Sequence, residues 1–183
     1  TGATLRAWSA VLAATPGTRL LLKAQGLDAP VERERILRQF AQHGVDAGRI
    51  ELVGRLPGSE AHLAMYARVD VALDTFPYAG TTTTCEALWM GIAVITLAGT
   101  THVSRVGVSL LNAIGLTDLI AKSPDDYVRL GAYLAAAGDR RSQLRQSLRQ
   151  KMQESPLMNP RLLASSLEAL YQNWWTTLLQ KRL

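Results

Sequence analysis

Cysteine is almost absent: Cys85 is the single one in 183 residues. One cysteine excludes an internal disulfide and fits a reducing, cytoplasmic setting. Together with three scattered histidines, His43, His62 and His102, it matches no metal-ligand spacing. No apolar run reaches the ~18–20 residues that span a bilayer, and no signal or transit peptide pattern is visible. No Ser-His-Asp or Cys-His arrangement stands out, and no carboxylate pair marks a glycosidase. Acids are outnumbered, fifteen against twenty Lys and Arg, for a net charge of +5. Such a balance suits nucleic acid or anionic sugars, but the charges are dispersed. Glu32-Arg33-Glu34-Arg35 alternates in sign, and Arg140, Arg141, Arg145 and Arg149 share one late helix, read as a solvated face rather than a nucleic-acid stripe.

What remains is enough for one domain with a full core, and short for two. The elements follow from apolar periodicity and breakers. Helices are expected over Thr4 to Ala14, Pro30 to Gln42, Ser59 to Arg68, from the threonine run to Met90, and over Ser104 to Ile114. Between them lie strands at Arg19 to Lys23, Ile50 to Val53, Val69 to Leu73, Ile92 to Leu97 and Leu119 to Ala121. Continuous apolar strands suit a parallel sheet covered on both faces. From Pro124 onward only helices are expected, over 124–137, 140–155 and 159–180. This alternation predicts an α/β fold with a Rossmann-like, doubly wound parallel sheet, in which ligands bind beyond the carboxyl ends of the strands. Such a half-domain ordinarily begins with a strand, yet the first element here is a helix and Thr1 is not a Met. A strand just upstream is therefore expected in the parent protein. The last helix carries Leu170, Tyr171, Trp174 and Trp175, read as packing within the domain or, alternatively, as a contact to a neighbouring one.

Three strand ends deliver polar loops to one sheet edge. In the first, Asp74-Thr75-Phe76-Pro77-Tyr78-Ala79-Gly80-Thr81-Thr82-Thr83-Thr84 separates an apolar strand from a helix. Gly80 lets backbone approach a ligand closely. Thr81, Thr82 and Thr83 offer N–H groups and hydroxyls to an oxyanion at the positive end of the helix. Glu86 projects from the same face one turn on, where a sugar hydroxyl can sit. The competing explanation is a capping box, Thr83-x-x-Glu86, which ties both side chains to the helix start without any ligand. In the second loop, Leu56-Pro57-Gly58-Ser59-Glu60-Ala61-His62, His62 is either a packing residue or a stacking partner for a base. The third, Gly99-Thr100-Thr101-His102-Val103-Ser104-Arg105, places Arg105 in a first helical turn, where a cation opposes the dipole. It needs an acidic partner, such as Asp74, or an anionic substrate. Lys23 ends a strand on the same edge, within reach of a phosphate or simply solvated. Cys85 lies inside a helix beside Trp89 and is read as inert.

These residues resemble a known family. The run from Asp74 through Gly80-Thr81-Thr82-Thr83-Thr84 to Glu86-Ala87-Leu88-Trp89-Met90-Gly91, then Ser104-Arg105-Val106-Gly107, Ser109-Leu110-Leu111 and Gly115-Leu116, is similar to the C-terminal catalytic half of the O-linked N-acetylglucosamine transferase and SPINDLY family, glycosyltransferase family 41. The similarity continues into Ser155-Pro156-Leu157-Met158 and covers nearly the whole chain. It implies a GT-B enzyme of two Rossmann-like domains, often preceded by tetratricopeptide repeats. Residues 1–183 would be its nucleotide-sugar-binding C-terminal domain, with 124–183 as an all-helical tail.

By that resemblance Thr82 and Thr83 contact a diphosphate, Glu86 a ribose, and His62 the face of uracil, while backbone near Leu56 reads the uracil edge. Gly80, Thr81 and Arg105 complete the substrate-binding set. The chain departs from the animal enzymes at Thr81, where they have His, and at Gly58-Ser59-Glu60, which lacks their ribose-binding Lys and is one residue longer. The implied activity is inverting transfer of N-acetylglucosamine from UDP-N-acetylglucosamine to Ser or Thr of a polypeptide, without a metal or other cofactor. The implied partners are a nucleotide sugar and a polypeptide acceptor, with no nucleic acid and no membrane. No catalytic residue is expected in this chain. The base and a leaving-group Lys are expected upstream, so the isolated chain should be inactive. The alternatives are a non-catalytic interaction module, a relative that transfers fucose or glucose, and an epimerase-like protein acting on free nucleotide sugars.

Overall fold

Two hydroxyls decide how the chain starts. In the computed structural model, which describes residues 1–180, helix α1 (Gly2–Ala14) is capped by Thr1, whose Oγ1 accepts from the Thr4 N–H. Thr4 is not the cap. Its own hydroxyl donates to the Phe76 carbonyl at 2.6 Å, 72 residues away. The helix start is thus pinned to the loop that carries the threonine run.

Strand β1 (Leu20–Lys23) pairs in parallel with β2 (Ile50–Val53). Strand β3 (Val71–Leu73) pairs in parallel with β4 (Ala93–Leu97), and β4 with β5 (Ile120–Ala121). The parallel, helix-alternating order agrees with the expected α/β class, although the strands lie in two hydrogen-bonded pieces, β1-β2 and β3-β4-β5. β4 is buried along nearly its whole length, as a central strand covered on both faces must be. The helices between strands are α2 (Pro30–Ala41), started by proline, then α3 (Gly58–Ala64), α4 (Thr82–Trp89) and α5 (Val106–Ala113). Element ends differ from the sequence expectation by one to a few residues, mostly because short 3-10 turns (Met65–Arg68, His102–Ser104) replace helix ends.

The core gathers Phe40, Leu88, Ile95, Leu111, Leu134 and Tyr127, all essentially unexposed. Tyr127 lies on α6 (Pro124–Ala136), which packs across α1 and the β3-β4-β5 piece. Trp8 Nε1 donates to the Tyr127 hydroxyl at 3.1 Å, which donates in turn to the Asp74 carbonyl at 2.7 Å. Burial pushes the Tyr127 phenol far above its ordinary range, so it keeps the proton that makes the second bond. This buried chain fixes the end of β3 relative to both helices.

The late arginines are solvent-accessible, as the sequence suggested, and each also bonds to the domain. On α7 (Gly138–Gln153), Arg141 donates to the Leu134 and Ala135 carbonyls at the end of α6, and Arg145 to the Val69 carbonyl at 2.6 Å. Arg149 donates to the Trp89 carbonyl and stacks 5.3 Å from that ring, while Arg140 pairs with Asp118. Helix C-terminal carbonyls lack intrahelical donors, and guanidinium groups supply them. The final helix, α8 (Pro160–Gln180), buries none of its residues: Tyr171, Trp174 and Trp175 are each more than 60% exposed. Packing of these aromatics into the domain's own core is thereby corrected. The helix leaves the domain after the Pro156–Met158 turn and presents its apolar side outward. No helix among the described residues is long and apolar enough to cross a membrane.

Candidate functional site

Asp74 stands one residue beyond β3, buried at the carboxyl edge of the sheet. Its Oδ1 accepts from the Thr75 N–H at 2.9 Å and the Gly80 N–H at 2.8 Å, and its Oδ2 from the Thr96 hydroxyl at 2.8 Å. Burial pushes the carboxyl above its ordinary value, and the three hydrogen bonds pull it back. The loop from Thr75 to Gly80 is therefore folded around a single carboxylate. It is held from outside as well: Ala79 N–H donates to the Val103 carbonyl, and the Phe76–Pro77 peptide, which is cis, lies against α1 through the Thr1 and Thr4 hydroxyls.

Arg105 is not the partner of Asp74. Its guanidinium donates to the Gly99 carbonyl at 3.1 Å, and no ion pair to it occurs among the described residues. Backbone fills the place instead. A Cβ on Gly107 would lie 2.6 Å from Asp74 Oδ2, so the start of α5 packs directly on the carboxylate.

Gly80 is packed against its own helix: an added Cβ would meet the Thr84 and Thr83 hydroxyls at 2.7 and 2.8 Å. Thr81 occupies the N-cap of α4 but makes no side-chain cap bond. The Thr82 and Thr83 N–H groups have no acceptor among the described residues, and both side chains are exposed. These are the orphan donors of a helix start, at the positive end of its dipole. The capping box is not formed. Thr83 is the second residue of the helix rather than its cap, and Glu86 turns away to another partner.

That partner is His62. Glu86 Oε2 lies 2.8 Å from His62 Nε2, and His62 Nδ1 is hydrogen-bonded to Lys23 Nζ. An ammonium has donors only, so Nδ1 accepts from Lys23 and the ring hydrogen sits on Nε2, donating to Glu86. Three elements far apart in sequence, β1, α3 and α4, thus meet in one chain. Tyr66 completes the cluster. Its ring meets His62 edge-on with centroids 5.8 Å apart, and its hydroxyl donates to the Thr83 carbonyl at 3.2 Å. Burial, aided by the negative Glu86, pushes the phenol up to about 12. The same two causes push the Cys85 thiol up, so it is neutral and poorly nucleophilic.

Sequence reasoning placed Lys23 on this edge without assigning it to the site, and missed Tyr66. The spacing of Tyr66 four residues after His62, one helical turn, was the available signal. Leu56 is half-buried in the loop before α3. That loop is anchored by the Arg55 N–H on Asp28 Oδ2 at 3.2 Å, with Gly54 packed so closely on the same carboxylate that no side chain fits there. Two cavities open here. One of about 170 Å³ lies under the turn, lined by Tyr66, Asp74, Thr75, Gly80 and Thr83 among others. A larger one of about 1150 Å³ has Lys23, Arg55, His62, Tyr66, Thr75 and Thr83 in its lining. Leu56, Thr81, Thr82, Glu86 and Arg105 lie outside these linings.

Comparison with known proteins gives a consistent picture. A family model described as Glycosyl transferase family 41 matches residues 1–167. A protein from Arabidopsis thaliana named probable UDP-N-acetylglucosamine--peptide N-acetylglucosaminyltransferase SPINDLY is 42% identical over 171 residues, 93% of this chain and 19% of that protein. The UDP-N-acetylglucosamine--peptide N-acetylglucosaminyltransferase of Caenorhabditis elegans is 28% identical over 173 residues, 94% of this chain and 15% of that one. A solved structure of a mutant Thermobaculum terrenum O-GlcNAc transferase superposes with a TM-score of 0.87 at 36% identity, over 93% of this chain and 33% of that chain. The chain spans about a fifth of the length of the SPINDLY protein.

Proposed function

Because the chain belongs to glycosyltransferase family 41, we propose that it is the donor-binding C-terminal domain of a GT-B protein O-glycosyltransferase. The whole protein would transfer N-acetylglucosamine from UDP-N-acetylglucosamine to Ser or Thr hydroxyls of a polypeptide, with inversion. The observation that carries this is the meeting of the Lys23–His62–Glu86 chain with the unpartnered Thr82 and Thr83 N–H groups at one sheet edge.

Each group has a role that its geometry supports. The Thr82 and Thr83 N–H groups and hydroxyls receive diphosphate oxygens, with Thr81 beside them, while Gly80 lets the turn pack closely on the Thr83 and Thr84 hydroxyls. Lys23 has ammonium hydrogens beyond the one given to His62, and these add positive charge at the same place. Both His62 nitrogens are occupied, so the ring offers a face rather than an edge, as stacking on uracil requires. Glu86 uses one oxygen on His62 and has the other for a ribose hydroxyl. Backbone near Leu56 reads the uracil edge, and Arg105 is a further cation for the donor.

In the reaction the acceptor oxygen attacks the anomeric carbon opposite the diphosphate. The bond from that carbon to the leaving oxygen breaks, and its electron pair stays on UDP. Negative charge grows beside the start of α4, where fixed donors stabilise it without reorganisation. The base that takes the acceptor proton, and a Lys that neutralises the leaving group, are supplied from outside residues 1–183. The isolated chain then binds UDP weakly and transfers nothing.

Calorimetric titration of UDP and of GDP into the full-length protein tests the proposal. UDP binds more tightly than GDP, and Glu86→Ala weakens UDP while leaving the fold intact. A preference for GDP overturns the uridine assignment. Absence of binding to either overturns the donor site itself and favours an interaction module.

A further inference from the structure

Tyr66 touches both halves of the donor site. It lies in the Met65–Arg68 turn that follows α3, half-buried against the core. Its ring meets the His62 ring edge-on, at 72° with centroids 5.8 Å apart. Its hydroxyl crosses to α4 and donates to the Thr83 carbonyl at 3.2 Å. A helical carbonyl takes an N–H from one turn on, and its second lone pair is free for a phenol. Helical side chains lean toward the N-terminus, so Tyr66 reaches back toward His62 and the start of α4.

Two ties thus join the α3 segment to α4. His62 meets Glu86 at 2.8 Å, and Tyr66 meets the Thr83 carbonyl. The ties cross: the earlier residue of the first segment meets the later residue of the second, and the later meets the earlier. A single tie leaves two elements free to slide or pivot, whereas crossed ties fix their offset. The phenol suits a permanent donor. Burial and the negative Glu86 push it up to about 12, so at neutral pH it keeps its proton and is no base. Its acceptor is backbone, which leaves the Thr82 and Thr83 N–H groups and hydroxyls open for a ligand.

We propose that Tyr66 is a positioning residue of the donor site, setting the distance between the ring that receives the base and the helix start that receives the diphosphate. The assignment rests on the donor-site reading above and names what holds its two halves in register. A nucleoside diphosphate meets both halves at once, and any freedom between them must be lost on binding. Crossed ties remove that freedom before the ligand arrives, which is preorganisation of a site by the residues behind it. Uridine without phosphates meets only the His62 half, so its affinity does not depend on the spacing.

UDP and uridine titrated into the full-length protein and its variants test the assignment. Tyr66→Phe keeps the ring edge on His62 and deletes only the bond to Thr83. UDP affinity falls about fivefold, the scale of one neutral hydrogen bond, while uridine affinity, read by NMR titration, changes less than about twofold. Tyr66→Leu removes the ring as well, and uridine affinity then falls about threefold too. General loosening of the fold weakens both ligands alike, so the ratio of the two affinities carries the result. Amide exchange without ligand is the second measurement. The Cys85 N–H donates to the Thr81 carbonyl at 3.0 Å as the first bond of α4. It exchanges about fivefold faster in Tyr66→Phe, with Ile95 in the central β4 unchanged. Equal losses for UDP and uridine, or no loss for either, overturn the assignment, and so does Cys85 exchange that Tyr66→Phe leaves unaltered. An unaltered protein that binds no UDP overturns the donor-site reading itself and the assignment with it, whereas UDP binding that Tyr66→Phe does not weaken overturns the assignment alone.

Discussion

Two junctions on the same sheet edge are built from the same residue types and come out opposite. Each leads from a parallel strand through a Gly, Thr and Ser or Thr loop into a helix. After β4 the loop closes on itself. The Ser104 hydroxyl accepts from the Thr101 N–H at 3.0 Å and donates to the Thr101 carbonyl at 2.8 Å, and Gly99 N–H donates to the Ser104 carbonyl. After β3 the loop closes instead on Asp74, which lies behind it, and the helix start is left with free donors. A polar helix start is therefore no evidence of a ligand by itself. What distinguishes the two is where the loop's own N–H groups go: after β4 to a hydroxyl within the loop, after β3 to a buried acid behind it.

Asp74→Ala attacks that difference most directly. It strands the Thr75 and Gly80 N–H groups and the Thr96 hydroxyl, and should cost about 3 kcal/mol or more of stability, read by urea unfolding. A loss below about 1 kcal/mol would mean that the loop holds its shape without the acid. Glu86→Ala comes next and separates ligand binding from folding. UDP affinity should fall about tenfold, some 1.4 kcal/mol, with little change in melting temperature. An equal loss in both would restore a structural role for Glu86. Ser104→Ala is the mirror experiment at the closed junction. It should cost about 1 kcal/mol of stability and leave UDP affinity unchanged.

The smallest effect concerns pH. The Asp74 carboxyl titrates higher in the folded protein than its ordinary 3.8, because it is buried. The folded state then holds the proton more tightly than the unfolded chain does. Its contribution to stability is greatest below the unfolded value and declines as pH rises through the folded one. Asp74→Asn should remove that decline, seen as the difference between wild-type and variant melting temperatures across the acidic range. An unchanged slope would place the titrating group elsewhere.

Much of this was legible in the residues. The strand and helix order, the parallel class, the threonine turn and the convergence of polar loops on one edge follow from periodicity and from local backbone chemistry, both of which act over a few residues. The expectation of a strand before the first helix came from the same logic. The bonds of the late arginines and the exposure of the last helix's aromatics were not legible, because they depend on surroundings that are not local. Arg145 finds a carbonyl 76 residues away, and the aromatics of α8 are each more than 60% exposed.

The sequence by itself therefore determined which segments fold and where a helix start could receive an anion. Only the tertiary structure decided that Glu86 is no cap, that Lys23 and His62 belong to it, and that Asp74 is answered by backbone instead of Arg105. Propensity and capping are set by neighbours along the chain, whereas a hydrogen-bond chain linking β1, α3 and α4 exists only once packing has brought those elements within 3 Å of one another.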